Sequence, residues 1–66
     1  SGMNAKQYKV LSRRMKLTSA AQRECQHLDR QIPPLEQTEA QASGQDFAAA
    51  QRRLFGLRSR FRELGC

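Results

Sequence analysis

The sequence has few of the residues that build β-sheets or hold metal ions. It contains no tryptophan, and its single valine, single isoleucine and two threonines form no alternating run. Two cysteines and one histidine cannot supply the four closely spaced ligands of a structural zinc site. Glu24 and Asp29 would point to different faces of a helix, and no glycine-rich loop could cradle a phosphate. These absences predict no strand-based fold, no metal site, no cofactor, no small-molecule substrate and no enzymatic activity.

The sequence also lacks a long apolar segment. No run approaches the roughly 20 residues that a membrane span needs, and no signal-peptide core is present. Residues 1–3 are interpreted as a cloning remnant. Since the cysteines form no disulfide framework, we predict a reduced chain in the cytoplasm or nucleus, with Cys25 as a small buried hydrophobe and Cys66 as an exposed thiol.

Helix-forming residues are abundant, chiefly alanine, glutamine, arginine and leucine. Residues 4–32 contain neither glycine nor proline, so they predict one helix with Asn4 as its N-cap, and Pro33-Pro34 should end it. A second helix is predicted over residues 44–64, after an N-cap at Ser43 and before a stop at Gly65. The connector, residues 33–43, either forms a short third helix or is simply folded. The whole is a single domain over residues 4–64.

Both predicted helices carry apolar residues at alternating spacings of three and four, the pattern of a coiled-coil seam. Two such helices with a short connector predict an all-α fold, an antiparallel, coiled-coil-like helical hairpin. If the chain turns at the connector, Cys25 lies near residue 51 and therefore far from Cys66. No intramolecular disulfide is expected. The core is thin, so we expect the seam to bind a helical partner or a second copy, most simply as a dimeric four-helix bundle. The predicted seam residues are Tyr8, Leu11, Met15, Leu28, Ile32, Phe47, Leu54, Leu57, Phe61 and Leu64.

The arginines of the second helix flank this seam, and their stems can cover its edges while their charges stay in water. Phe55 falls outside the seam, beside Gly56. It either marks a contact surface or covers the connector.

Positive charge is concentrated in the first predicted helix. The net charge is +6, and residues 1–32 hold seven basic and two acidic groups. The basic stripe, opposite the seam, consists of Lys6, Lys9, Arg13, Lys16, Arg23 and Arg30. It is either a solvated outer face or a surface for an acidic protein, nucleic acid or an anionic membrane. Because it lacks aromatic residues that could stack on bases, we favour an acidic protein.

A set of positions resembles part of the occludin/ELL domain. These are Tyr8-x-x-Leu11, Leu28-Asp29 and Gly44-Gln45-Asp46-Phe47, followed by Leu54 and Phe61. The resemblance spans residues 8–64. It implies a bundle of helical hairpins that binds proteins, as in tight junctions or transcription elongation complexes, with a scaffold role and no catalytic residues.

The predicted function is therefore a non-enzymatic protein-protein interaction or assembly module, a scaffold built on a basic helical hairpin. The alternative is a small nucleic-acid-binding protein that uses the basic stripe on phosphates.

Overall fold

The computed structural model describes residues 4–66, which form three helices and no strand. Helix α1 spans Ala5–Met15, α2 spans Ser19–Gln41 and α3 spans Gly44–Leu64. The predicted all-α class is confirmed.

The first predicted helix is interrupted by a corner at residues 16–18. Helix α1 begins as expected, because the Asn4 side chain accepts a hydrogen bond from the Gln7 amide and the Gln7 side chain accepts one from the Asn4 amide. It ends at Met15, and α2 starts anew after Thr18, whose hydroxyl accepts from the Ala21 amide at 3.1 Å. The prediction of one uninterrupted helix over residues 4–32 is wrong, because a threonine N-cap begins a second helix inside it.

Helix α2 runs through Pro33 and Pro34, where the predicted helix ended. Each proline removes a backbone donor, so the carbonyls of Asp29 and Arg30 lose their usual partners. All four residues are exposed, so water can reach those carbonyls, while the opposite face of α2 stays packed. The predicted connector over residues 33–43 is therefore wrong as well. Ala42 and Ser43 alone join α2 to α3, and residues 33–41 continue α2.

The ends of α3 lie where they were predicted. Ser43 occupies the N-cap position, although its side chain makes no capping hydrogen bond. At the other end Gly65 adopts a left-handed conformation with φ of 83°. Its amide donates to the Arg62 carbonyl and the Cys66 amide donates to the Phe61 carbonyl, the two bonds of a Schellman motif. This turn directs Cys66 back toward the helices.

A disulfide joins Cys25 of α2 to Cys66, with 5.8 Å between the two Cα atoms. The predictions of reduced cysteines and of no intramolecular disulfide are wrong. The first followed from the small number of cysteines and the second from the misplaced turn. Because α2 continues to Gln41, Cys25 lies beside the end of α3 and not opposite residue 51. Both cysteines are buried.

The core lies between α2 and α3, which pack against each other. Leu54 and Cys25 are fully buried, and Leu28 and Ala50 are nearly so. Across this pair Arg58 lies 2.8 Å from Glu36, and Arg60 forms an ion pair with Glu24.

The predicted seam residues differ in their surroundings. Leu28 and Leu54 are buried, and four more are half-buried at the margin of the core: Ile32, Leu57, Phe61 and Leu64. The remaining four are exposed: Tyr8, Leu11, Met15 and Phe47. The apolar residues of α1 therefore do not contribute to the core as the seam pattern predicted.

Candidate functional site

Arg14 links α1 to the other two helices. Arg14 donates two hydrogen bonds to the Asp29 carboxylate of α2, at 2.7 and 2.9 Å. Its guanidinium carbon lies 5.8 Å from the centre of the Phe61 ring of α3, within cation–π range. Its side chain is only 19% exposed, and its Nε has no hydrogen-bond partner among the described residues. Arg14 thus contacts both other helices, and we call these contacts the Arg14 latch.

The Arg14 latch determines which face of α1 points outward. Val10, Arg14 and Leu17 are half-buried, and Leu17 lies against Gly65 at the end of α3. Three large apolar residues consequently face solvent: Tyr8 is 65% exposed, Leu11 48% and Met15 80%. We call these three the α1 apolar stripe.

The predicted basic stripe is divided by the corner at residues 16–18. Lys6, Lys9 and Arg13 belong to α1 and Lys16 is its C-cap, whereas Arg23 and Arg30 belong to α2. All six are exposed, and none forms an ion pair within residues 4–66. The structure therefore does not join them into one continuous line on one helix.

The acidic groups are distributed so that α1 stays positive. Residues 4–23 contain no acid. The ion pairs of the described residues use Glu24, Asp29, Glu36 and Glu63, and of α1 they engage only Arg14. Glu24 is already paired with Arg60, whose hydrogen bonds lower the pKa of the Glu24 carboxyl. The exposed bases of α1 are thus free for an external anion.

Basic residues of α1 lie beside the α1 apolar stripe. A shallow groove on this helix is lined by Tyr8, Lys9, Ser12, Arg13 and Lys16. It contains one side chain of the apolar stripe and three of the basic groups. The helix therefore offers a partner both apolar area and positive charge at the same place.

Phe47 and Phe55 are the exposed large apolar residues of α3. Phe55 is 71% exposed, it lines a shallow groove with Glu39 of α2, and the space beside Gly56 is open. It remains a candidate contact residue.

Other kinds of site find no support in the described residues. Residues 4–66 contain no group of three histidine, cysteine or acidic side chains placed to hold a metal ion. No helix of this part of the chain is long and apolar enough to cross a membrane.

Sequence reasoning missed the Arg14 latch and the outward rotation of α1. Thr18-Ser19 was an available signal for the corner, because both are favoured N-cap residues. No comparable signal pairs Arg14 with Asp29, since the two lie fifteen positions apart along the chain and meet only once the corner has formed.

Comparison of the chain with protein-family models, with curated proteins and with solved structures gives no match. The resemblance to the occludin/ELL domain stays a prediction, and the functional argument rests on the geometry of α1.

The Arg14 latch predicts that α1 detaches in acid. Hydrogen bonds from Arg14 lower the pKa of Asp29 below its ordinary value. Their stabilisation is therefore complete above the unfolded pKa of about 3.9 and is lost as pH falls through the lower folded value. Because the Asp29 side chain is 43% exposed, solvent screening limits the effect to about 1 kcal/mol.

NMR shifts of the Val10 and Leu17 methyl groups, followed from pH 7 to pH 2, measure this detachment. Asp29→Asn should shift them toward the acid positions already at pH 7. Methyl shifts that stay constant over the whole pH range would contradict the role of the Arg14 latch.

Proposed function

We propose that this chain is a non-enzymatic protein-binding module that uses α1 to bind an acidic protein. In this proposal α2 and α3 form an antiparallel helical hairpin, which holds α1 at its surface. The short connector at residues 42–43 and the disulfide between Cys25 and Cys66 support the hairpin, because they tie together opposite ends of the α2–α3 pair.

One observation carries the proposed function: the exposed bases of α1 belong to a segment, residues 4–23, that contains no acid. On α3 Arg58 and Arg60 are paired with Glu36 and Glu24, and the helix holds acids of its own among its unpaired arginines. Lys6, Lys9 and Arg13 have no acid near them along the chain. A face that serves only for solubility usually mixes charges and gains pairs between neighbouring turns.

Binding of single-stranded nucleic acid is the second candidate. It is favoured by the groove that places Tyr8 beside Lys9, Arg13 and Lys16, because an aromatic ring among cations can stack on a base. Against it, only this one aromatic residue lies there, and the corner shortens the line of phosphate contacts that a continuous stripe would offer. We therefore rank it below an acidic protein.

The disulfide also bears on the cellular compartment in which the protein acts. Disulfides persist in oxidising compartments and are rare in the cytosol. We therefore propose an oxidising compartment in place of the predicted intracellular one. Free thiols at Cys25 and Cys66 in protein isolated without reductant would contradict this.

Self-association stays a prediction. It was expected because a two-helix core is thin, and the buried disulfide now adds to that core. Phe47 and Phe55 are the exposed aromatic residues of α3 that a second copy could cover. Light scattering at tens of micromolar distinguishes a monomer from a dimer.

Charge removal on α1 tests the proposed function. The variant Lys9→Gln/Arg13→Gln/Lys16→Gln keeps helix propensity and removes three unpaired charges from one face. With a glutamate-rich protein fragment as probe, we expect its affinity to fall about tenfold, since each screened ion pair contributes about 0.5 kcal/mol. Isothermal titration calorimetry measures the affinity, and circular dichroism checks that helicity is kept.

The matched control removes three unpaired arginines from α3: Arg52→Gln/Arg53→Gln/Arg62→Gln. It has the same net charge as the α1 variant, so long-range attraction changes equally. An equal loss in both variants would show attraction by net charge alone and would contradict a site on α1. Tighter binding of a 20-nucleotide single strand than of the acidic probe would instead support the second candidate.

A further inference from the structure

The orientation of α1 is unusual for a helix that only completes a core. The Arg14 guanidinium faces the other helices, while the α1 apolar stripe of Tyr8, Leu11 and Met15 faces solvent. Exposed apolar groups in water are unfavourable in proportion to their area, and the half-buried Arg14 leaves its Nε without a partner among the described residues. The opposite rotation would place the apolar stripe against α2 and α3. The observed one leaves it available to a partner.

The stripe has the spacing of a helix-packing seam. Tyr8, Leu11 and Met15 are separated by three and four residues, and at about 100° per residue they lie within a sector of about 60°. This is the arrangement whose side chains fit between those of a facing helix. Helix α1 has 11 residues, a length of about 16 Å, so it matches about three turns of a partner helix.

Positive charge borders the stripe on one side. Measured about the helix axis, Lys16 and Lys9 lie about 80–100° from Tyr8, on the side away from Leu11. Both line the groove that contains Tyr8. On the other side of the stripe lies Arg14, which is engaged by Asp29. A helix lying on the stripe would therefore meet cations along one of its edges.

We infer that α1 binds an amphipathic helix with apolar residues at alternating spacings of three and four and acidic residues along one edge. The inference rests on the proposed function and specifies its partner. Apolar contact with Tyr8, Leu11 and Met15 gives selectivity, and attraction to Lys9, Arg13 and Lys16 gives the acidic preference. A second copy of α1 is a poor occupant, because residues 4–23 of that copy are equally free of acids and would repel.

The experiment compares three synthetic peptides of 21 residues against the whole oxidised chain. The first places leucines on one helical face and glutamates elsewhere. The second has the same composition with the leucines scattered round the helix, and the third replaces each glutamate of the first by lysine. We expect the first peptide to bind at least tenfold more tightly than the second, and the third not to bind.

The variant Tyr8→Gln/Leu11→Gln/Met15→Gln removes the apolar stripe and keeps every charge. These side chains are exposed and glutamine propagates helices well, so the fold should persist, as circular dichroism can check. We expect this variant to bind the first two peptides equally. The control Phe47→Gln/Phe55→Gln, which changes exposed apolar residues of α3, should keep the tenfold preference.

The failures of the two proposals are distinguishable. Equal, salt-sensitive binding of both acidic peptides to the unaltered chain would overturn the inference and leave the proposed function in place. No binding of either acidic peptide would overturn both. Tighter binding to vesicles containing one-third phosphatidylserine than to the first peptide would overturn the inference in favour of a membrane surface.

Discussion

The variant Cys25→Ser/Cys66→Ser should lose about 4 kcal/mol of the free energy of unfolding. The two cysteines are separated by 41 positions, and closing a loop of that length in the unfolded chain stabilises the folded state by about that amount in the chain-entropy model. A chain of 66 residues has a total stability of only about 3–10 kcal/mol. The loss is therefore a large part of the total, and at the lower end of that range the variant is mostly unfolded at 25 °C. Urea titration followed by circular dichroism measures the loss.

Reduction of the unaltered chain is the natural control for this variant. Protein in excess dithiol reductant should unfold at the same urea concentration as the serine variant, because both lack the same constraint. Ser12→Ala, a polar change on α1 away from the disulfide, should leave the transition unchanged. A transition that does not move on reduction would show that the bond contributes nothing to stability, and would contradict the prediction.

The disulfide is also linked to helix α1. Cys66 follows Gly65, which lies against Leu17, and the same end of α3 supplies Phe61 to the Arg14 latch. Loss of the bond therefore frees the segment on which α1 rests. The disulfide therefore stabilises the position of α1 as well as the α2–α3 pair.

The class of the fold could be predicted because it depends on local composition. Helix formers dominate, strand formers are scarce, and Asn4 and Gly65 define helix ends through bonds to residues only a few positions away. Such signals depend only on residues that are close together along the sequence.

The register could not be predicted, because it depends on what Pro33 and Pro34 face. A proline inside a helix costs roughly 3 kcal/mol, through the lost hydrogen bond and the clash of its ring with the carbonyl four residues earlier. Here both prolines are exposed, as are Asp29 and Arg30, which carry those carbonyls, and packing on the opposite face maintains α2. That compensation is tertiary, and the position of Cys25 relative to Cys66 follows from it.

The exposure of the basic residues could likewise be predicted, whereas the rotation of α1 could not. Charged side chains are almost always exposed, so the position of Lys9 or Arg13 at the surface needs no tertiary information. Whether Tyr8, Leu11 and Met15 face inward depends on the corner at Thr18 and on the pairing of Arg14 with Asp29. A seam pattern over three turns cannot specify a rotation that depends on contacts with distant parts of the chain.

The second large effect is expected from Leu54→Ala, which should cost about 3 kcal/mol of unfolding free energy. Leu54 is 0% exposed and lies in the centre of the α2–α3 core, so its truncation removes apolar contacts and leaves a cavity. Alanine keeps helix propensity, so the loss reports packing alone. Urea titration of the oxidised protein measures it.

The neighbouring Phe55→Ala supplies the matched comparison on the same helix. Phe55 loses a larger side chain, but it is 71% exposed, so its truncation should change stability by less than about 0.5 kcal/mol. If Leu54→Ala and Phe55→Ala cost the same, the core is not where the structure places it. If Leu54→Ala alone is costly and Phe55→Ala leaves stability unchanged, then Phe55 does not contribute to folding and becomes the next residue to test in binding.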